Sequence, residues 1–380
     1  MDSAINDKVQ QLEPVVVTED LLLGTESLWR RFGEPVPAGG SLKPDGTPDY
    51  GLFGPGSITW EVLLHPATIV FESVAQVTFQ SVYKPIIAGV RDADPISRKA
   101  RGGTLTMLDL FNRLQRNSGM HAPMWLGDTA TAENMAGHLH KIHGHVKGDV
   151  IDVGDPELGG YAAAEPRDAM WAGITEMCAI LWMYENFAYH GEEGPRPLSD
   201  EQREQYVREM GAYLRLVGTP GDQIPNSVAE LDGLYHMYED LFGVNDTMNL
   251  YPDTMENYAE LLRETPKRNW HPSHKIVVDV VEDTFRKFVT PILATFPEWL
   301  QAKAGLDESG RTAAAQALKD SQDLIKSAQQ PDNERRIMRL YWGPDGVDLI
   351  DHARKLHREA LQQQGNDTKE DSRHRGAARS

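Results

Sequence analysis

The chain has 380 residues, 40 % hydrophobic and 25 % charged, the balance of a globular protein. Its 38 basic and 57 acidic residues leave a net charge of −19, which repels phosphate backbones and anionic bilayers and argues against nucleic-acid or membrane-surface partners. One cysteine, Cys178, excludes an internal disulfide framework and any multi-thiolate metal site, whereas the 13 histidines are numerous and clustered.

Met1-Asp2-Ser3-Ala4-Ile5-Asn6-Asp7 carries no basic region and no apolar segment follows it. No run reaches the roughly 18 uninterrupted apolar residues of a membrane span. A cytoplasmic location is expected. The stretch 33–57 is rich in Pro and Gly and ends in Phe53-Gly54-Pro55-Gly56-Ser57, a turn-rich entry rather than a core element. Ser57 is placed to cap a helix from Ile58 through Leu64. Residues 67–83 are apolar and rich in β-branched side chains; the run is too long for one strand and reads as a helix.

A helix is predicted over 104–116, with Leu105, Leu108, Phe111 and Leu114 on one face. A histidine-bearing helix follows over 129–147, closed by Gly148, and a strongly apolar one runs from about Arg167 to Tyr189. Ser199-Asp200-Glu201-Gln202 offers a cap and an acidic first turn for a helix over 200–217, stopped by Gly218 and Pro220. Ser227 caps a further helix, and 274–290 carries apolar pairs at helical spacing. From Gln362 the composition turns polar and predicts a disordered tail. The fold class is therefore mainly α: an arm and entry over 1–50, a single large all-helical domain over 51–300, a helical extension over 301–361 and the tail 362–380.

Within the histidine helix, about 100° per residue places Met135, Leu139, Ile142 and Val146 in one stripe, the predicted buried face. His143 flanks that stripe near Ala136, His138 and His145 share the opposite flank, and His140 points to solvent. Three readings stay open. The histidines decorate a solvated rim; or they hold zinc or non-haem iron, for which only His140 and His143 have shareable helical spacing; or His143, beside Gly144 and Ala136, is the single axial ligand of a haem. With no Cys-x-x-Cys-His motif, such a haem is non-covalent.

Thr175 and Glu176 interrupt the apolar run around Trp171, Met177 and Trp182. A buried carboxylate must be paired or protonated, so Glu176 is either a general base or the partner of an arginine. Thr175 can bond the preceding turn, and the tryptophans suit a core as well as a cofactor pocket.

Several segments together resemble one family. They are Gly54-Pro55-Gly56-Ser57; Asp94-Pro95 with Arg98 and Thr104; Ile142-His143-x-x-Val146-x-Gly148; Trp171-x-x-x-Thr175; Pro197-Leu198-Ser199-Asp200 with Tyr206; and Ile224-Pro225-x-Ser227 with Leu231. In this order, over roughly 50–240, they resemble the MpaB-like oxygenase / rubber oxygenase (latex-clearing protein) family. The resemblance implies an all-α fold, a b-type haem held between helices by one histidine, and oxidation of an apolar molecule by dioxygen. It implies His143 as the iron ligand, with Trp171 and Thr175 beside the cofactor. Arg98 or Arg101, with Thr104, would correspond to the family's distal arginine and threonine. Here Gly102-Gly103 lengthens that spacing, and Tyr83-Lys84-Pro85 stands where the family often has His-Pro. The ordinary alternatives are helix-entry charges for the arginines and, for Thr104, the cap of a helix starting at Leu105.

The expected function is a haem b-dependent oxygenase acting on an apolar or partly apolar small molecule with dioxygen, Glu176 joining Arg98, Arg101 and Thr104 as catalytic candidates. Alternatives are a haem enzyme of this fold with hydroxylase, dehydratase or peroxygenase chemistry, or a non-catalytic haem or ligand carrier.

Overall fold

Pro166 presets the first turn of the helix around which the others are arranged. The run behind it is apolar on every side, so it must be wrapped by neighbouring helices rather than lie on a surface. The computed structural model describes residues 17–30, 32–149, 158–244, 249–251, 253–271 and 287–377. In chain order it places α1 (Glu19–Leu23), α2 (Glu26–Trp29), α3 (Ile58–Leu63), α4 (Pro66–Gln80), α5 (Lys84–Ala93), α6 (Pro95–Arg101), α7 (Met107–Leu126) and α8 (Thr129–His143). A small antiparallel pair follows, β1 (Lys147–Asp149) with β2 (Gly160–Ala162), Gly148 opposite Tyr161. Then come α9 (Pro166–Phe187), α10 (Asp200–Leu216), α11 (Val228–Met237), α12 (Tyr258–Arg268), α13 (Glu298–Lys303), α14 (Glu308–Asp320), α15 (Gln322–Ala328) and α16 (Pro331–Ala377).

The mainly α expectation holds, and most helix starts follow their sequence signals. Ser57 caps α3, its hydroxyl accepting from the Trp60 amide at 3.1 Å. The run 67–83 is the helix α4, with Pro66 in its first turn and His65 as its cap. Ser199 and Gln202 form a capping box at α10. Ser227 caps α11.

Three boundaries differ. The helix expected over 104–116 starts at Met107, because Thr106 and Asp109 cap each other's backbone, so Thr104 is not the cap. It continues to Leu126 because packing outweighs the polar stretch 116–119: Ser118 is buried, and buried Gln115 donates to the carbonyls of Leu22 and Leu340. The histidine helix stops at His143, with Gly144 as its C-cap, since Lys147–Asp149 is taken into the two-stranded pair. The stripe predicted on it is accordingly buried only at its start: Met135 is inside, while Ile142 is 50 % exposed. The segment 274–290 lies largely outside the described residues.

At the centre, α9 packs along α4, and α16 packs along α7 and also touches α4. The N-terminal arm and the C-terminal extension belong to this same core. Val17, Leu22 and Ala38 are buried in it, as are Trp342, Ile350 and Ala353 of α16, and Trp342 Nε1 donates to the Ile69 carbonyl at 2.9 Å. The helix α16 also runs on to Ala377 through the segment read as a disordered tail, whose Gln, Lys, Glu and Arg are good helix formers. No described helix is long and apolar enough to cross a membrane.

Candidate active-site cavity

Between α4, α5, α7, α8, α9 and α10 lies a cavity of about 270 Å³. Pro85, Ile86, Val90, Leu139, Ile142 and Val146 form an apolar wall, and Ala169, Ala172 and Gly173 present the small side of α9. Gln76, His121, Glu176 and Tyr213 form a polar wall, and Asp94 and Arg113 stand at another edge, paired at 2.7 Å. A concave, mostly apolar space with a few converging polar groups is the usual form of a small-molecule site.

The polar wall is built by three helices. Glu72 on α4 is 1 % exposed; His121 on α7 and Glu176 on α9 are each 4 % exposed. The imidazole lies between the carboxylates, with Nδ1 2.8 Å from Glu72 Oε1 and Nε2 3.1 Å from Glu176 Oε1. Its ring stacks on Trp125 at 4.6 Å. Ser73 and Ser118 hydroxyls donate to Glu72 Oε2 at 2.9 and 3.1 Å. Gln76 Nε2 donates to Glu176 Oε2, and the Tyr213 hydroxyl meets both Glu176 oxygens, all at 3.1 Å. Asn117 in turn donates to the Gln76 carbonyl oxygen.

Burial pushes the Glu176 carboxyl up to about 7, opposed by the His121 charge and reinforced by Glu72. Burial alone would lower the His121 pKa, but the two carboxylates outweigh it and hold it above the ordinary value. The donor atoms of Glu72, His121 and Glu176 lie within 4.8 Å of one another, close enough to hold a metal ion.

His143 is the last residue of α8 and also lines the cavity. Burial lowers its pKa to about 4, helped by His140 and Arg113, so its imidazole is neutral at neutral pH. Of the other clustered histidines, His140 is exposed, as expected, and His145 lies in the turn beyond the helix. His138 stacks on Phe32 at 4.3 Å.

Of the residues singled out in the sequence, the structure brings His143 and Glu176 to one cavity. Glu176 is paired with a histidine, not an arginine. Arg98 lies outside the cavity lining and donates to the Ala93 carbonyl at 3.2 Å. Arg101 is held by Asp253 at 2.9 Å and lies over the Tyr251 ring. Thr104 sits in the α6–α7 connection, its amide bonded to the Lys99 carbonyl at 2.9 Å. The arginine that does reach the cavity is Arg113. Trp171 is fully buried among Tyr83, Tyr235, Tyr238 and Phe242, away from the lining. Thr175 bonds the Trp171 carbonyl at 2.7 Å, the self-satisfied role open to a helical threonine.

Sequence reasoning missed Glu72, His121, Gln76, Arg113 and Tyr213. The i,i+4 pair Glu72 and Gln76 inside an otherwise apolar helix is the signal that marks one of these faces. His121 lies beyond the predicted end of its helix and carried no such signal.

A family model described as ER-bound oxygenase mpaB/B'/Rubber oxygenase, catalytic domain, matches residues 60–322. No curated protein and no solved structure matches the chain.

Proposed function

This chain belongs to the mpaB/B'/rubber oxygenase catalytic-domain family, and from that premise we propose that it is a haem b-dependent oxygenase with His143 as the axial ligand. The observation that carries this reading is the placement of the His143 imidazole, without a hydrogen-bond partner among the described residues, on a largely apolar cavity of an oxygenase-family chain, where burial favours its neutral form. An unprotonated ring nitrogen is what a haem iron requires of its protein ligand.

The surrounding residues fit the group. Ala169 and Ala172 keep the side chains of α9 small along the cavity, whereas Gly173 gives its space to Leu214 of α10, and Leu139, Ile142 and Val146 give the macrocycle apolar contacts beside the ligand. Arg113, paired with Asp94 at 2.7 Å, would have to share its guanidinium to meet a propionate. At about 270 Å³ the space lies just below the usual roughly 300–1,000 Å³ of small-molecule sites, so its walls would have to open to admit a porphyrin. Haem b supplies the oxygen chemistry when bound.

The chain's own residues supply the rest. Pro85, Ile86 and Val90, the α5 part of the apolar wall, receive an apolar or partly apolar substrate. The amide of Gln76 and the hydroxyl of Tyr213 hold Glu176 in place on the polar wall, toward which the polar portion of the substrate would turn. Glu176 faces the same space, bound into the pair with His121 and Glu72.

The test is reconstitution of the full chain with haemin. A stoichiometric complex with a Soret band is expected; a protein that remains colourless overturns the reading.

A further inference from the structure

Three buried ionisable groups meet on the cavity's polar wall. Two buried carboxylates, Glu72 and Glu176, share one imidazole, and no lysine or arginine is paired with either among the described residues. Burying a carboxylate without a compensating positive charge costs several kcal/mol, about the scale that forces a group to find a cation or a proton. We propose that Glu72, His121 and Glu176 form a mononuclear binding site for a divalent transition-metal ion, separate from His143 and independent of haem.

The geometry is that of a supported ligand set. The carboxylates meet different ring nitrogens, Glu72 at Nδ1 and Glu176 at Nε2, so the imidazole offers the ion one of the two; counted as one ligand atom per residue, the donors lie within 4.8 Å of one another. Ions of this class bind at about 2.0–2.2 Å, so one ring nitrogen ligates the ion and the carboxylate bonded to the other nitrogen leaves that hydrogen bond to complete the set. The Oε2 atoms are held from behind, Glu72 by Ser73 and Ser118, Glu176 by Gln76 and Tyr213. Such hydrogen bonds to ligating carboxylates fix their orientation and raise affinity. Trp125 fixes the plane of the ring.

Two carboxylates, a neutral imidazole and a divalent ion sum to zero charge, which suits a buried site. One nitrogen and two oxygens select Mn²⁺, Fe²⁺ or Zn²⁺ over a soft ion such as Cu⁺. His121 and Glu176 line the cavity whereas Glu72 stands behind them, so the ion's open positions would face the space in which a small molecule binds.

The test uses the full chain, stripped with a chelator and titrated with Mn²⁺ and Co²⁺. Retained metal is measured by elemental analysis and the cobalt site by its visible absorption. One ion per chain is expected. Glu176→Gln, Glu72→Gln and His121→Ala should each weaken binding by about tenfold or more, whereas His143→Ala and His140→Ala should leave it unchanged. The near-isosteric glutamine variants, checked by circular dichroism, keep the test valid where His121→Ala does not fold. No retained metal, or unchanged affinity in both glutamine variants, overturns the proposal. Because this titration needs no haem, and the Soret measurement needs no second metal, the two readings fail separately.

Discussion

His65 shows how one side chain ties helix geometry to pH. Its Nδ1 accepts from the Ala67 amide at 3.1 Å, an N-cap that requires an unprotonated ring nitrogen. The ring is packed against Tyr184 and His190, and burial with the neighbouring His190 lowers its pKa from the ordinary 6.5 to about 4. A histidine whose folded pKa is depressed stabilises the fold fully above its unfolded pKa and loses that contribution as pH falls. His143, also lowered to about 4, adds in the same direction. Glu176 and His121, both held above their ordinary values, act in the opposite direction, so the His65 contribution is read as a difference: between pH 7 and pH 4.5 the urea midpoint of the wild type is expected to drop relative to that of His65→Asn, which caps without titrating. An equal change in the variant would contradict this account of His65. Residues also differ in how far the sequence reveals them. Glu176 is visible because a carboxylate breaks an apolar run. His121 is not, because its partner Glu72 is 49 positions away and only the packing of α4 on α7 brings them together. Thr104 and Thr106 precede the same helix, and the choice between them lies in Asp109, three residues after Thr106.

At the scale of elements, Gly343 sets the path of the last helix. It interrupts α16 with φ 72° and ψ 177°, a conformation that glycine alone adopts without strain. A Cβ there would fall 2.3 Å from the Trp29 ring, so the break also makes room for α2 to dock. Gly343→Ala combines backbone strain of about 1–3 kcal/mol with that clash, and should lower the unfolding midpoint accordingly. An unchanged midpoint would mean that the break is incidental. Helix starts were legible because caps are local signals, and Ser57, Ser199 and Ser227 each act where their spacing places them. Helix ends were not. Capture of Lys147–Asp149 by Gly160–Ala162 and the bonds from Gln115 to two distant carbonyls are decided by tertiary partners.

Over the whole molecule, the family match covers residues 60–322, yet the core does not stop there. Ala38 before it and Trp342, Ile350 and Ala353 after it are buried with α4, α7 and α9, which makes one cooperative unit of what composition divides into arm, domain and extension. That unit brings His143 and Glu176, 33 positions apart, onto one cavity with the buried glutamate–histidine pair. The measurement that bears most directly on the central claim compares wild type and His143→Ala, each reconstituted with haemin, before and after adding free imidazole. A Soret band lost or shifted in His143→Ala and restored toward the wild-type position by imidazole is the predicted result. A variant spectrum identical to the wild type without imidazole would contradict it.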